Sequence, residues 1–463
     1  MITINLPKVF FSLIEAPRNN RYLLDKVNFD FYKLDDSIQI TRKASSYLVR
    51  TKAKNVIEEL EKLKKNTLIS LKRKLVKDND ILRLALNVSQ VCRLKCRYCY
   101  ANAGTYGNPG FMKRNVLVRT LDFFLSNYNV HNIHIFGGEP LLNIEMIEEM
   151  FRILTSKYAK KFNNLRITVA TSLFVSEETI NRFIKIYESY KDKFQIYMVV
   201  SLDGPKEIQD NTRPSLDSKS SSFDRIKNNI NLLKQKGFSI SFEVTYTKLH
   251  KQLGWNILKI YKYFYTEFNA ANVIISPVYD WNGSLDKNLR IDISIAQEYY
   301  EIIASLLEKS RRGDLNDFDR ALLCKLLMNY LNPSDSSGKI IVSTFCPAGS
   351  NSFIVDIFGN IYPCQLVVGN LKYRISNVVK DNEEKILKNL KDWRYKALRL
   401  FTKARYSKCK DCYFLFYCSR CIFKRDYQKD MFKACDVEKK IIETILEFDP
   451  WTLLPLMDNF NGG

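Results

Sequence analysis

Beyond Ile81 the chain alternates short apolar runs, rich in Ile, Val and Phe, with longer stretches whose apolar positions recur at helical spacing. Such alternation predicts parallel β/α units and an α/β fold class. Strands are expected at Leu82 to Val88, Asn132 to Phe136, Arg166 to Thr171, Gln195 to Ser201, Ser239 to Thr247 and Asn272 to Ser276, with helices between them. Joined by right-handed crossovers, these units predict a partial (β/α)6, TIM-like barrel, open on one side, with reactive groups at the carboxyl ends of its strands. Ahead of it, the apolar runs Ile2 to Leu13, Tyr22 to Tyr32 and Ile38 to Leu48 read as three strands, followed by a charged amphipathic helix from Ala53 to Lys65. Beyond it, Ile293 to Leu331 reads as helix. Phe358-Gly359-Asn360 reads as the turn of a hairpin between Ser352 to Ile357 and Ile361 to Tyr362. The expected organisation is a small α+β domain over 1–80, the barrel over 81–290, a helical bridge over 291–340 and a cysteine-rich domain over 341–463.

At 463 residues, with 46% hydrophobic and 13% aromatic content, the chain can bury a large core. Its net charge of +22 would suit nucleic acid, an anionic membrane or an acidic peptide. The excess is spread along the chain, however, with modest concentrations from Arg50 to Lys77 and from Lys380 to Lys410, and a lysine-rich host proteome accounts for it equally well. Eleven cysteines would suggest disulfides in a small secreted protein, but the N-terminal stretch lacks the apolar core and cleavage site of a signal peptide. No run approaches the length of a membrane helix. Reduced thiols, a cytoplasmic location and no membrane partner are therefore expected. Three histidines in all, His131, His134 and His250, argue against a histidine-based metal or acid–base site.

Cysteine carries the chemistry instead. Cys92, Cys96 and Cys99 lie on one short loop directly after the first expected strand. Three thiolates at that spacing can hold three irons of a cubane cluster and leave the fourth iron for a small chelating molecule. A structural zinc site would need a fourth ligand, and no histidine lies nearby. The spacing C-x3-C-x2-C, with Tyr98 before the last cysteine, resembles the signature of radical S-adenosylmethionine (radical SAM) enzymes. Gly137-Gly138-Glu139-Pro140, after the second strand, matches their GGEP motif. Ser201-Leu202-Asp203-Gly204-Pro205, followed by Asp210 and Arg213, is similar to the SLDGP…D…R segment of the peptide- and sulfatase-maturing members.

The resemblance implies that Cys92, Cys96 and Cys99 ligate a [4Fe–4S] cluster and that Tyr98 contacts the adenine of S-adenosylmethionine. It places the methionyl amino group at Gly137, Gly138, Glu139 and Pro140, with the Glu139 carboxylate as acceptor and the glycines allowing close approach. Ser201 would face the ribose region, Asp203 belongs to the same cofactor-binding set, and Arg213 would steady the methionyl carboxylate or the substrate backbone. A surface ion pair is an equal reading of Arg213. Thr171-Ser172 ends the third strand, and Ser172 stands where many members have Asn, which makes it a ribose or carboxylate candidate by place.

Downstream, Cys346 is followed after twelve intervening residues by Gly359 and after four more by Cys364; then come Cys409, Cys412, Cys418, Cys421 and Cys435. This resembles the SPASM domain, an auxiliary-cluster module of radical SAM enzymes, with two residues rather than three between Cys418 and Cys421. By position, Cys346, Cys364 and Cys421 would hold a first auxiliary cluster, and Cys409, Cys412, Cys418 and Cys435 a second. Cys324 would complete the first, or its last iron stays open to a substrate thiolate. On spacing alone, the paired cysteines also permit a zinc ribbon, and with the net charge a basic nucleic-acid binder.

The whole pattern implies an enzyme with three [4Fe–4S] clusters, one binding S-adenosyl-L-methionine and two auxiliary, working without nucleic acid as a partner. Its cofactor would carry the difficult step, with the protein supplying orientation and exclusion of water. Auxiliary clusters imply oxidation of the substrate after hydrogen abstraction, with electrons entering from a flavodoxin- or ferredoxin-type donor. The stretch from Cys99 to Gly107 looks most like the thioether-forming maturases of ribosomal peptides, so the expected substrate is a precursor peptide and the expected product a Cys thioether crosslink. Formylglycine formation by a sulfatase maturase and carbon–carbon crosslinking are the alternatives within the family. The first eighty residues resemble the winged-helix-like peptide-recognition module that precedes many such maturases, or are a plain extension.

Overall fold

The computed structural model describes residues 1–8, 10–15, 20–159, 165–217, 220–270, 272–280, 285–291, 295–331, 344–410, 412–418, 421 and 433–448. Val9 and Ile293, the end of the expected bridge and the tail of the expected last domain lie outside the described residues. Strands form at Arg83–Ser89 (β1), Asn132–Gly137 (β2), Arg166–Thr171 (β3), Gln195–Ser201 (β4), Ile240–Tyr246 (β5) and Val273–Pro277 (β6). Each pairs parallel with the next. Between them run the helices Arg114–Asn127 (α1), Ile144–Lys157 (α2), Glu177–Tyr190 (α3), Ser222–Gln235 (α4) and Ile257–Phe268 (α5). Ser176, Ser221 and Asn256 cap the last three, each side chain accepting from a backbone N–H of the first turn.

Alternation along the strands separates two environments. Leu84, Leu86, Ile133, Ile135, Ile167, Val169, Val200, Phe242 and Val244 are fully buried in the main apolar core that includes the helices. Phe242 meets Phe264 and Phe268 of α5 at 4.8 and 5.2 Å between ring centres, and each such ring removed from water contributes about 1.5–3 kcal/mol. The alternate positions, among them Arg83, Asn87, His134, Ser201 and Glu243, face the other side and give the barrel a polar interior.

The sheet does not end at β1. Ser352–Val355 (β7) pairs parallel with it, Ser352 opposite Arg83 and Val355 opposite Leu86. Asn360–Tyr362 (β8) and Ser376–Asn377 (β9) follow antiparallel, making one sheet of nine strands. The expected hairpin is therefore also an extension of the barrel. Its turn is closed by Asp356, whose carboxylate accepts from Phe358 N at 2.9 Å and Asn360 N at 2.8 Å, with Gly359 at φ 82°.

The expected helical bridge is two helices, Ile295–Arg312 (α6) and Asp317–Leu331 (α7). Glu383–Phe401 (α8) follows the hairpin, and Lys433–Glu447 (α9) packs back onto α6 and α7. No helix among the described residues is long and apolar enough to cross a membrane.

The N-terminal region corrects the expectation of three strands. Six strands form two three-stranded antiparallel sheets, and one helix, Lys54–Lys74, follows. The first expected run breaks after Pro7 and the second at Phe29, which adopts φ 62° without any glycine. Asp25 organises that second break, accepting from Val27 N at 2.9 Å and from Thr67 Oγ1 of the helix at 2.7 Å. A winged helix is built on a helix–turn–helix, whereas the described residues of this region hold a single helix. The second sheet is docked on the C-terminal region: Ile14, Tyr22, Leu24, Phe29 and Phe31 share one apolar cluster with Phe414, Ile442 and Leu446.

Candidate active site and metal centres

The loop carrying Cys92, Cys96 and Cys99 leaves the carboxyl end of β1 and is pinned by its neighbours. On one side Lys95 N donates to Pro214 O at 2.8 Å and Arg97 N to Thr212 O at 2.9 Å. On the other, Gly138 N donates to Ser89 O at 2.7 Å and Glu139 N to Val91 O at 2.9 Å. This contact within the chain requires the two glycines. A Cβ on Gly137, at φ 152°, would lie 2.3 Å from Ser89 O, and one on Gly138 would lie 2.6 Å from Val91 O. Pro140 then opens a short 3-10 turn, Pro140–Asn143.

The three thiols are gathered closely enough to feel one another's charge. Burial pushes the Cys92 thiol up to about 12, with the Glu139 carboxylate adding to the rise, and burial raises Cys96 as well. Thiols in this setting ionise when a metal takes the place of the proton.

Glu139 is engaged within the chain. It is fully buried, and its carboxylate accepts from Thr171 Oγ1 at 2.6 Å, Leu141 N at 3.1 Å, Ser172 N at 2.8 Å and Ser172 Oγ at 2.5 Å. Four donors occupy the roughly four lone-pair directions of a carboxylate. Burial raises its pKa and those hydrogen bonds oppose the rise. Glu139 therefore straps the Gly-Gly turn to the end of β3, and Ser172 is spent on the same strap, also receiving Phe174 N at 3.2 Å.

Asp203 is the second hub. Fully buried after β4, it accepts from Tyr98 OH at 2.5 Å, Thr212 Oγ1 at 2.7 Å, Arg213 Nη2 at 3.0 Å and Thr245 N at 2.9 Å. Burial alone would raise its carboxyl, but the Arg213 guanidinium overrides that and holds it below the ordinary range. Arg213 is itself 8% exposed and lies 5.3 Å from the centre of the Tyr98 ring, which settles it as a buried ion pair rather than a surface one. Tyr98 is thus committed through its hydroxyl to joining the cysteine loop to the Asp203 loop. Asp210 is spent locally, accepting from Phe223 N at 2.9 Å, and Ser201 stands half-buried at the end of β4. His250, passed over by sequence reasoning, supports the hub: its Nε2 bonds Asp203 O at 3.0 Å while Nδ1 receives Thr247 N at 3.1 Å, which fixes the neutral ring with the proton on Nε2.

Beside these satisfied groups stand unsatisfied ones. Asn87, fully buried near the end of β1, has neither amide atom hydrogen-bonded among the described residues, and Arg213 Nε is likewise unpartnered. Buried polar atoms without partners are rare. Next to a three-thiol loop, they fit a polar molecule such as S-adenosylmethionine chelated to a cluster. Sequence reasoning missed Asn87 because a strand asparagine carries no motif.

In the C-terminal region, burial raises the Cys364 thiol to about 12, and the Cys346 and Cys421 thiols add to the rise. Tyr100 and Tyr106 stand 6.2 Å apart edge to face, and Tyr106 packs against the apolar cluster that holds Cys364, as Cys346 does. Cys324 is buried in α7, which packs on α5, α6 and α9. For the second set, Cys409 and Cys418 share an apolar cluster with Phe345, Tyr406 and Leu415, and Cys412 packs beside Cys418 against Phe414. Cys435 lies in the first turn of α9. Lys403, 3% exposed, feels Cys418, Cys409 and Cys412; burial brings its ammonium down to about 8 and those thiols oppose the fall. No group of three Cys, His, Asp or Glu side chains among the described residues is drawn tightly enough to grip a single ion.

Known proteins share both regions. The Radical SAM superfamily profile matches residues 86–264, and that of the SPASM iron–sulfur cluster-binding domain matches 346–413. An uncharacterized protein of Methanocaldococcus jannaschii is 31% identical over 172 residues, which are 37% of this chain and 54% of that protein. The match thus spans about half the length of that curated relative. Among solved structures, anSMEcpe with bound AdoMet superposes with a TM-score of 0.59 at 21% identity, covering 82% of this chain and 96% of that one. Streptococcus suis SuiB bound to the precursor peptide SuiA gives 0.50 at 15% identity, covering 91% of this chain and 96% of that one. At these identities the likeness is one of fold.

Proposed function

Taking this chain as a member of the radical SAM superfamily that carries a SPASM domain, we propose that it oxidatively modifies a ribosomally made peptide, forming thioethers between cysteine sulfurs and carbon. The observation that carries the reading is that Tyr106, on the stretch that follows Cys99, packs against the apolar cluster that holds Cys364, as Cys346 does. Barrel thiols and C-terminal thiols joined through this packing would suit hydrogen abstraction at the first and electron removal at the second. The fold shared with SuiB, described in complex with its precursor peptide, supports a peptide as substrate.

When bound, the clusters and S-adenosylmethionine would supply the 5′-deoxyadenosyl radical and the acceptor for the second electron. Cys92, Cys96 and Cys99 would hold the first cluster, Cys346, Cys364 and Cys421 the second with one iron open to substrate sulfur, and Cys409, Cys412, Cys418 and Cys435 the third. Glu139 and Ser172 fix the Gly-Gly turn from behind, and Asp203 aims Arg213, leaving Asn87 and Arg213 Nε to meet the cofactor. A ferredoxin- or flavodoxin-type protein would feed electrons in the cytoplasm.

Each thioether removes one hydrogen atom from carbon, one proton from sulfur and one electron, a net loss of two hydrogens. Anoxic coexpression with a cysteine-containing candidate peptide from a neighbouring reading frame should therefore lower the peptide mass by two hydrogens per site and make one cysteine per site refractory to alkylation. The same mass loss with alkylatable thiols would indicate carbon–carbon bonds instead, conversion of a sulfatase cysteine would indicate formylglycine chemistry, and an unchanged peptide would refute the reading.

A further inference from the structure

Lys403 is 3% exposed, and its ammonium has no hydrogen-bond partner among the described residues. It opens the short 3-10 turn Lys403–Arg405, and the backbone leads from there directly into the second cysteine set. Tyr406 N donates to Lys403 O at 3.1 Å, Cys409 N to Tyr406 O at 3.0 Å and Cys412 N to Cys409 O at 3.2 Å. These successive turns bring Lys403 and the thiols to one place, where Cys409 and Cys418 pack with Phe345, Tyr406 and Leu415. The surroundings are apolar, and the charges that reach the ammonium are those of the Cys418, Cys409 and Cys412 thiols.

Removing an ammonium from water without an acceptor costs several kcal/mol. Such a group persists where a negative charge meets it. We propose that Lys403 is the fixed counter-cation of the second auxiliary cluster, lowering the energy of its reduced form and so raising its reduction potential. The proposal rests on reading Cys409, Cys412, Cys418 and Cys435 as cluster ligands. A cubane bound by thiolates is already anionic and gains one further negative charge when it takes up an electron. A positive charge fixed beside it in an apolar setting stabilises the more negative state. Lys403 touches neither peptide nor S-adenosylmethionine in this account, so it is a positioning charge and not a catalytic residue.

The test uses full-length protein reconstituted anaerobically, with iron and sulfide counted before potentiometric titration followed by electron paramagnetic resonance. Cys409→Ala comes first. Loss of about four irons relative to wild type establishes a cluster at this set; full iron retention removes the cluster reading and the proposal with it. In Lys403→Met, one of the three cluster signals should move to a more negative midpoint while the other two hold, and Lys403→Arg should restore it. Selective loss of that one signal in Lys403→Met, with retention in Lys403→Arg, also supports the assignment. Full iron content in Lys403→Met with all midpoints unchanged overturns it.

Discussion

The cysteine loop of the barrel is framed by polar groups that satisfy one another, whereas the loop over Cys409 to Cys418 is framed by aromatic and aliphatic side chains around one ammonium. In the barrel, Glu139 and Asp203 each collect four hydrogen bonds, and Tyr98 joins Asp203 to the cysteine loop. In the C-terminal loop, Phe29 of the N-terminal sheet stacks on Phe414 at 5.4 Å and Tyr417 OH donates to Val27 O at 2.5 Å. The difference teaches what each place is for. A network with saturated hubs and a few unsatisfied atoms holds a changeable small molecule in one pose. An apolar seal keeps water from a permanent group.

The comparison breaks most completely if the loops are interchangeable. Cys96→Ala should abolish reductive cleavage of S-adenosylmethionine, whereas Cys418→Ala should leave cleavage intact and stop peptide oxidation, as read by 5′-deoxyadenosine release and peptide mass. Equal loss of cleavage in both variants would end the distinction. Next in size, Arg213→Met strands the buried Asp203 carboxylate and should lower unfolding free energy by about 3–5 kcal/mol in urea titration, with part recovered in the Arg213→Met/Asp203→Asn double variant. Phe29→Ala should cost about 3 kcal/mol and release iron from the C-terminal site while sparing the barrel cluster, measured by iron content after gel filtration. Iron lost equally from all sites would mean that the N-terminal sheet is not a local seal.

At neutral pH the effect vanishes for the last prediction, which concerns acid and the barrel interior. Burial brings His134 down to about 3 from an ordinary 6.5. Between those values the unfolded chain takes up a proton that the folded chain refuses, so stability is full above about pH 6.5 and falls as pH drops toward 3. The slope is at most about 1.4 kcal/mol per unit. His134→Phe should flatten that part of the denaturation profile; an unchanged slope would place the acid sensitivity elsewhere.

The six barrel strands were legible because each is a short apolar run flanked by helices of clear period, and the observed bounds differ from the expected ones by at most one or two residues. The cysteine spacings and the motifs at the strand ends were legible for the same local reason. What was hidden is non-local. Nothing in Ser352 to Val355 announces pairing with Arg83 to Leu86, and nothing in Glu139 announces that Thr171 and Ser172 fill its carboxylate before a cofactor can. The N-terminal strands were merged because the break at Phe29 is made by an aromatic residue at positive φ and stabilised by a carboxylate and a threonine far along the chain. Lys403 was invisible for a compositional reason: one lysine among so many basic residues draws no notice until its burial is known.

The bond from Tyr22 OH to Leu446 O, 3.2 Å long, joins positions 424 residues apart. A ribosome emits the first of these long before the second. Phe29 and Phe31 must therefore wait for Phe414, Ile442 and Leu446 to be made, and the last partner of their sheet arrives only with α9. Assembly closes like a clasp between two stretches far apart along the chain, so a nascent chain stalled before Phe414 would leave that aromatic face for chaperones to hold.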